Sequence, residues 1–144
     1  MLVDANLLLY AYDSAAKQHL RAKAWWEERL NEPRPVRLAW STILAFVRIA
    51  THPRVFVDPM TIDEAVSCVD AWLARPMVGV LEPGDGHWEI LARLLRNHQA
   101  HGNLVADAFL AALAIEHGAT LCSADQDFSR FAELDWCDPF APRE

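Results

Sequence analysis

The segment LVDANLLLYAY, residues 2–12, shows the order of elements that decides the class of fold. Leu2 and Val3 form a short apolar run that predicts a buried strand, and the carboxylate of Asp4 follows directly at its end. The apolar residues from Leu7 to Tyr12 then predict a helix or a tight turn. The same succession of a short strand and a helix recurs along the rest of the chain.

The rest of the chain alternates in the same way. Thr61 and Glu64 match a helix-capping box, Ser41 or Thr42 is expected to cap an earlier helix, and Asn103 is expected to cap a later one. Because short strands alternate with helices, we predict an α/β fold: a three-layer α/β/α sandwich around a mainly parallel sheet, in one domain over residues 1–144. Strands are predicted at 36–40, 78–81, 119–122 and near Trp136, and helices at 17–30, 43–50, 62–74, 87–100, 104–116 and 128–131.

Composition and cysteine usage indicate a globular protein of a reducing compartment. Hydrophobic residues make up 53% and charged residues 23% of the 144 residues, and no apolar run approaches the roughly 20 residues that span a bilayer. No basic stretch followed by an apolar one precedes Asp4, so a signal peptide is not expected. Cys68, Cys122 and Cys137 lack a C-x-x-C spacing, which favours free thiols that act as small buried apolar side chains. We therefore expect a cytoplasmic protein without membrane association.

The net charge of −7, from 13 basic and 20 acidic residues, argues against a nucleic-acid partner. Binding to phosphate is usually driven by Lys and Arg. Two exceptions exist: carboxylates that hold divalent cations present positive charge to a substrate, and a basic partner protein is itself an electrostatic target for an acidic chain. The charge lowers the probability of a nuclease without removing it.

Three carboxylates stand where a parallel sheet usually binds its ligand, beyond the carboxyl ends of the strands, and a fourth lies on a helix. Asp4 follows the first strand, and Asp125 and Asp127 follow the predicted strand 119–122. Asp107 lies in what is predicted as the first turn of an otherwise apolar, alanine-rich helix. The alternative is structural: Asp4 caps a helix, while Asp125 and Asp127 shape a turn.

If these carboxylates converge, a cation must neutralise them, because an unpaired buried charge is costly. Ligand sets made only of oxygen favour Mg²⁺ or Mn²⁺ over zinc. Such an ion activates water and stabilises charge on a leaving oxygen, which suits phosphodiester hydrolysis. The spacing of the acids thus leaves metal-assisted hydrolysis and a purely structural role as open alternatives.

Three motifs resemble those of a known family. They are Asp4-Ala5-Asn6 after the first strand, GNLVADA at 102–108, and SADQDFSRF at 123–131. Together, and in this order over essentially the whole chain, they resemble PIN domains, specifically the VapC-type toxins of bacterial toxin–antitoxin systems. The resemblance implies an endoribonuclease that uses Mg²⁺ or Mn²⁺, is inhibited by a cognate VapB-like antitoxin, and forms a homodimer.

The resemblance also implies roles for individual residues. Asp4, Asp107 and Asp125 would be the catalytic metal ligands, and Asp127 an auxiliary ligand or a group that positions water. Hydrogen bonds from nearby polar residues would orient these acids, although capping and turn formation explain the same residues almost as well. The polar residues are Asn6, Asn103 and Ser123.

One position departs from the family pattern. PIN domains commonly carry a glutamate on the second helix, where this chain has Ala45. The site would then work with three acids and Asp127 as compensation, or would bind metal weakly. Arg48, one helical turn further on, is expected either to contact substrate phosphate or to form a structural salt bridge.

Two other functions remain open at this point. The first is a weakly active or inactive PIN fold that only binds RNA or protein, which Ala45 favours. The second is a phosphatase of the haloacid-dehalogenase type, which also begins with a strand that ends in Asp. That family requires D-x-D followed by Thr or Val, and Asn6-Leu7 fits this pattern poorly.

Overall fold

The computed structural model describes residues 1–142 and, within them, a parallel sheet of five strands in the order β3-β2-β1-β4-β5. The predicted domain extends to Glu144, but residues 143–144 lie outside the described range. The strands are β1 (Leu2–Val3), β2 (Val36–Leu38), β3 (Val78–Val80), β4 (Leu121–Cys122) and β5 (Trp136–Cys137). The helices are α1 (Ala5–Tyr12), α2 (His19–Asn31), α3 (Trp40–Ala50), α4 (Ile62–Leu73), α5 (His87–Asn97) and α6 (Asn103–His117), with a short 3₁₀ helix at Gln126–Arg130.

The two faces of the sheet are covered by different sets of helices. Successive strand residues point to opposite faces, so Val3 packs among α1 to α4 whereas Leu2 packs against α5, α6 and the 3₁₀ helix. Cys122 and Leu121 of β4 divide between the faces in the same way. This arrangement confirms the predicted three-layer α/β/α sandwich.

The two packing layers are built from different side chains. Between the sheet and α1 to α4, Trp72 meets Phe46 with ring centroids 4.7 Å apart and Trp26 at 5.6 Å, and its indole N–H donates to the Tyr12 hydroxyl at 2.9 Å. On the other face, small side chains let the backbone of α6 approach the sheet closely. They are Ala108, Ala111, Ala112 and Ala114, all fully buried.

The helix starts show which of the predicted N-cap residues are correct. Thr61 caps α4 as predicted, because its hydroxyl accepts from the Glu64 N–H at 3.1 Å. The prediction that Ser41 or Thr42 caps α3 is wrong, since the helix begins at Trp40 and Ala39 is its N-cap. The run 36–40 does not show that β2 ends at Leu38, where the Leu38 carbonyl accepts from the Leu81 N–H beyond β3.

The start of α6 also differs from the prediction. Gly102 is the N-cap, with a φ of 57° that suits glycine, and Asn103 is the first helical residue instead of the cap. Asp107 consequently lies beyond the first turn of α6. None of the helices in the described range is long and apolar enough to cross a membrane.

Candidate metal centre

The carboxyl ends of β1 and β4 are adjacent at the point where the strand order changes direction. The chain runs outward from β1 through β2 to β3 and returns to the other side of β1 with β4. Asp4 follows β1, and its backbone N–H donates to the Cys122 carbonyl of β4 at 3.0 Å. Such a point of an open parallel sheet is where ligands usually bind.

Asp4 and Asp125 both make the local contacts of the structural alternative. Asp4 is the N-cap of α1, where its carboxylate accepts from the Ala5 N–H at 2.7 Å. Asp125 caps the 3₁₀ helix and accepts from the Asp127 N–H at 2.9 Å. A carboxylate oxygen has two lone pairs, so capping and ion binding are compatible on the same carboxylates.

A buried hydroxyl connects the two strand ends. Ser123 is fully buried and donates to Asp4 Oδ2 at 2.7 Å. Its oxygen accepts from the Asp125 N–H at 3.0 Å and from the Asn6 amide at 3.1 Å. Asn103, in contrast, is exposed and makes no side-chain hydrogen bond within residues 1–142.

Three carboxylates from two separate parts of the chain meet in space. Oxygens of Asp107, Asp125 and Asp127 lie within 4.8 Å of one another. Asp4 is not part of this group among the described residues, but its charge is close enough to act on both Asp107 and Asp125. The structure thus brings together all four predicted acids, with Asp4 on the margin of the tight cluster.

The cluster holds more negative charge than its surroundings compensate. Burial, followed by the charges of Asp125, Asp4 and Asp127, raises the pKa of Asp107 to about 6, against the lowering effect of Arg130. Burial also raises the pKa of Asp4, although its hydrogen bonds from Ser123 and Ala5 act in the opposite direction. A bound cation would relieve this repulsion.

Arg130 is a charged neighbour that the sequence analysis did not identify. Its Nη2 lies 3.3 Å from Asp127 Oδ1, and both side chains are about half exposed. In the sequence, the pair could be found only from its spacing: Asp127 and Arg130 are three positions apart, which places them on the same side of a helical turn. An exposed ion pair of this kind is weak, so it leaves Asp127 available to other partners.

A cleft of about 550 Å³ opens beside the acids, between α3, α5 and α6. Asp4, Asp107 and Ala45 all line it, so the residue expected in place of the family glutamate borders the same cleft as two of the acids. The buried Thr42 hydroxyl also borders the cleft and has no hydrogen-bond partner within residues 1–142.

Arg48 lies outside this cleft. It is exposed and borders a neighbouring depression that shares Ser41 and Ala45 with the cleft of the acids. Of its two predicted roles, the salt bridge is not formed within residues 1–142. A substrate contact at the edge of the cleft stays a prediction.

The donor set fits a hard divalent cation. Asp107 and Asp125 are partly buried, Asp127 is exposed, and each supplies a carboxylate oxygen within the 4.8 Å group. Oxygen ligands of this kind are the ones preferred by Mg²⁺ and Mn²⁺. Three acids and one open side leave room for water or a phosphate oxygen in the remaining positions.

Comparison with known proteins identifies a family and close sequence relatives. A family model described as PIN domain matches residues 1–134. The chain is 40% identical to ribonuclease VapC33 of Mycobacterium tuberculosis over 139 residues, covering 96% of the chain and 97% of the relative. It is 41% identical to ribonuclease VapC37 of the same organism over 138 residues, covering 96% of each.

Solved structures share the fold at low sequence identity. The VapC20 toxin of Mycobacterium tuberculosis, described as cleaving the sarcin–ricin loop, superposes with a TM-score of 0.66 at 18% identity, covering 93% of this chain and 96% of that one. VapBC-1 of nontypeable Haemophilus influenzae gives a TM-score of 0.69 at 19% identity, covering 97% and 98%.

Proposed function

The chain belongs to the PIN domain family, and from this premise we propose that it is a metal-dependent endoribonuclease, the toxin of a type II toxin–antitoxin pair. The observation that carries the proposal is the convergence of Asp107, Asp125 and Asp127 within 4.8 Å, with Asp4 beside them. The relatives named as ribonucleases align over 96% of the chain, which supports the same activity here.

The four acids have different parts in the proposed site. Asp4, Asp107 and Asp125 are the principal ligands of Mg²⁺ or Mn²⁺, and Asp127, which is exposed and paired with Arg130, is an auxiliary ligand. When bound, the ion supplies an activated water and stabilises charge on the departing oxygen of the phosphodiester. The identity of the ion is part of the proposal, since the donors suit both metals.

Residues of the chain orient the Asp4 carboxylate and determine the pH at which Asp107 loses its proton. The Ser123 hydroxyl fixes one oxygen of Asp4 and thereby the position of that carboxylate relative to Asp125. Asp107 must lose its proton before it can bind a cation, and its raised pKa of about 6 makes this step sensitive to pH. The cleft lined by Asp4, Ala45 and Asp107 gives the RNA backbone access to the acids.

The partners follow from the same similarity. RNA is the substrate, a VapB-like antitoxin is the inhibitor, and the toxin acts in the cytoplasm as a homodimer. Structures of related proteins are described as VapBC pairs, which supports the antitoxin partner. The net charge of −7 favours a partner with basic segments, because opposite charges speed and orient association.

An inactive PIN fold that only binds RNA or protein is the second candidate. Ala45 favours it, because alanine removes one family carboxylate from the cleft. The phosphatase alternative is set aside, because the family model and the aligned relatives are those of PIN ribonucleases.

Cleavage of an RNA pool by the purified chain, with and without Mn²⁺ or Mg²⁺, tests the proposal. Wild type should cleave RNA only when metal is present. Asp107→Asn should not cleave RNA with or without metal. Asp70→Asn is the matched control, since Asp70 is exposed on α4 and the same change there removes a charge outside the site.

Thermal unfolding with and without metal separates the two candidate functions. An ion that binds the folded state raises the unfolding temperature by mass action. Wild type and Asp70→Asn should be stabilised by Mn²⁺, and Asp107→Asn should not. A folded wild type that neither cleaves RNA nor gains stability from Mn²⁺ would establish the inactive fold.

A further inference from the structure

Two cysteines face each other across neighbouring strands at the edge of the sheet. Cys122 of β4 and Cys137 of β5 are register partners, and their Sγ atoms lie 3.2 Å apart as free thiols. Neighbouring strands are about 4.8 Å apart, which falls within the Cα separation of disulfides, about 4.4 to 6.8 Å. The backbone therefore already holds the two residues at a separation that permits a bond.

The two thiols differ in access to solvent. Cys122 is buried, with 3% of its surface exposed, whereas Cys137 is exposed. The expectation that all the cysteines are buried apolar side chains is therefore wrong for Cys137, because β5 is the outermost strand and one of its sides is uncovered. An oxidant in solution can reach Cys137 but not the sulfur behind it.

We propose that Cys137 and Cys122 form a reversible oxidation site, in which Cys137 reacts with hydrogen peroxide and Cys122 then closes an intrachain disulfide. The site lies outside the acid cluster and the proposal does not depend on the ribonuclease activity. Cys68 stands apart from it, half-buried on α4.

The two steps balance with peroxide as the only oxidant. The Cys137 thiolate attacks one peroxide oxygen, the O–O bond breaks, and the sulfur becomes a sulfenic acid while the departing hydroxide takes a proton to give water. The Cys122 sulfur then attacks Cys137, the S–O bond breaks and the S–S bond forms. The Cys122 proton leaves with the departing hydroxide as a second water.

The surroundings of Cys137 favour its thiolate form, which supports the proposed reaction with peroxide. A hydrogen bond from the Cys122 thiol lowers the pKa of Cys137 to about 7, against the raising effects of burial and of the nearby Asp135 and Asp138. A thiolate is the reactive form of cysteine, and exposed thiolates with a nearby second thiol are the ones that oxidise reversibly.

The dithiol is connected to the acidic site through the backbone. The Cys122 carbonyl accepts from the Asp4 N–H, and the Cys137 carbonyl accepts from the Ser123 N–H at 3.1 Å. Ser123 is the residue that directly follows Cys122 and holds Asp4. Oxidation would therefore join Cys137 to the residue directly before Ser123, whose hydroxyl holds Asp4.

Peptide mapping of the folded, full-length chain after treatment with hydrogen peroxide tests this proposal. The chain should lose the mass of two hydrogen atoms and regain it with dithiothreitol. Because Arg130 lies between the two cysteines, trypsin releases them in separate peptides that stay linked only when the disulfide is present. Cys68→Ser is the matched control and should behave as wild type.

Two further variants assign the order of the steps. Cys122→Ser should stop at a sulfenic acid on Cys137 that dimedone labels, and Cys137→Ser should not form the disulfide. Three results would overturn the proposal: no linked peptides in wild type, a link that involves Cys68, or a disulfide between two chains on a non-reducing gel. Circular dichroism of each variant, matched to wild type, shows that the fold is intact.

Discussion

The hydroxyl of Ser123 donates a hydrogen bond to Oδ2 of Asp4 at 2.7 Å, across 119 positions of sequence. The contact joins the residue after β4 to the residue after β1, and the same oxygen accepts the N–H of Asp125. A single buried hydroxyl thus sets the spacing between two of the proposed metal ligands. Its removal affects orientation without removing any charge.

Replacing Ser123 with alanine is expected to lower both stability and activity. The Asp4 oxygen, the Asp125 N–H and the Asn6 amide each lose a partner, and leaving buried polar groups unpaired costs about 1–3 kcal/mol. Denaturant unfolding measures the loss, and RNA cleavage measures the effect on the site. Ser67→Ala, on the exposed face of α4, is the control and should change neither. Equal behaviour of the two variants would contradict the linking role of Ser123.

The pKa of Asp107 predicts how the stability of the metal-free protein changes with pH. Its folded pKa of about 6 lies above its ordinary value of 3.8, so the folded state binds the proton more tightly. The resulting stabilisation is full below the ordinary value and is lost as pH rises through about 6. From about pH 7 to about pH 5, wild type should gain about 1 kcal/mol from this group, allowing for solvent screening.

Asp107→Asn isolates this contribution, because asparagine does not titrate. Unfolding in the presence of a chelator, at several pH values, should show a smaller gain on acidification for the variant than for wild type. The difference between the two profiles reports Asp107 together with the acids whose charges act on it. Identical pH profiles for the two proteins would show that Asp107 is not destabilised by the other acids.

Introducing glutamate at Ala45 should strengthen metal binding. The position lines the same cleft as Asp4 and Asp107, so we expect a carboxylate there to add a ligand to the ion that these acids are proposed to hold. We expect Mn²⁺ affinity to rise on the order of tenfold, because affinity for hard cations increases with the number of charged ligands. Titration calorimetry measures it. Ala45→Gln has nearly the same shape without the charge and should not show the gain; similar affinities for the two variants would place the metal elsewhere.

Replacing Asp127 should harm cleavage less than replacing Asp107. Asp127 keeps 58% of its side-chain surface exposed and shares its charge with Arg130, whereas Asp107 is partly buried among the acids. Asp127→Asn is expected to lower the cleavage rate on the order of tenfold, as is typical of supporting residues around a metal. Single-turnover cleavage of one RNA by both variants provides the comparison. A complete loss in Asp127→Asn would make it a principal ligand.

Local sequence patterns predicted the order of the elements and selected four acids that the structure brings near one another. Strands and helices were predicted in the right order because apolar runs, the Thr61 capping box and glycine positions act over a few residues. Asp4, Asp107, Asp125 and Asp127 were identified because each follows a strand or interrupts an apolar helix. The predicted starts of α3 and α6 were wrong, since α3 begins after Ala39 without a side-chain cap and the backbone of Gly102 precedes α6.

Contacts between distant segments depend on the order of strands in the sheet, which no local pattern specifies. Placing β4 beside β1 is what brings Ser123 to Asp4, and placing β5 beside β4 is what brings Cys137 to Cys122. The same assembly leaves Asp4 at the margin of the acid cluster and puts Arg130 beside Asp127. Residue type and short-range periodicity therefore identified the chemistry available to this chain, whereas distances and protonation arose from long-range packing, because burial and charge proximity exist only once the sheet has formed.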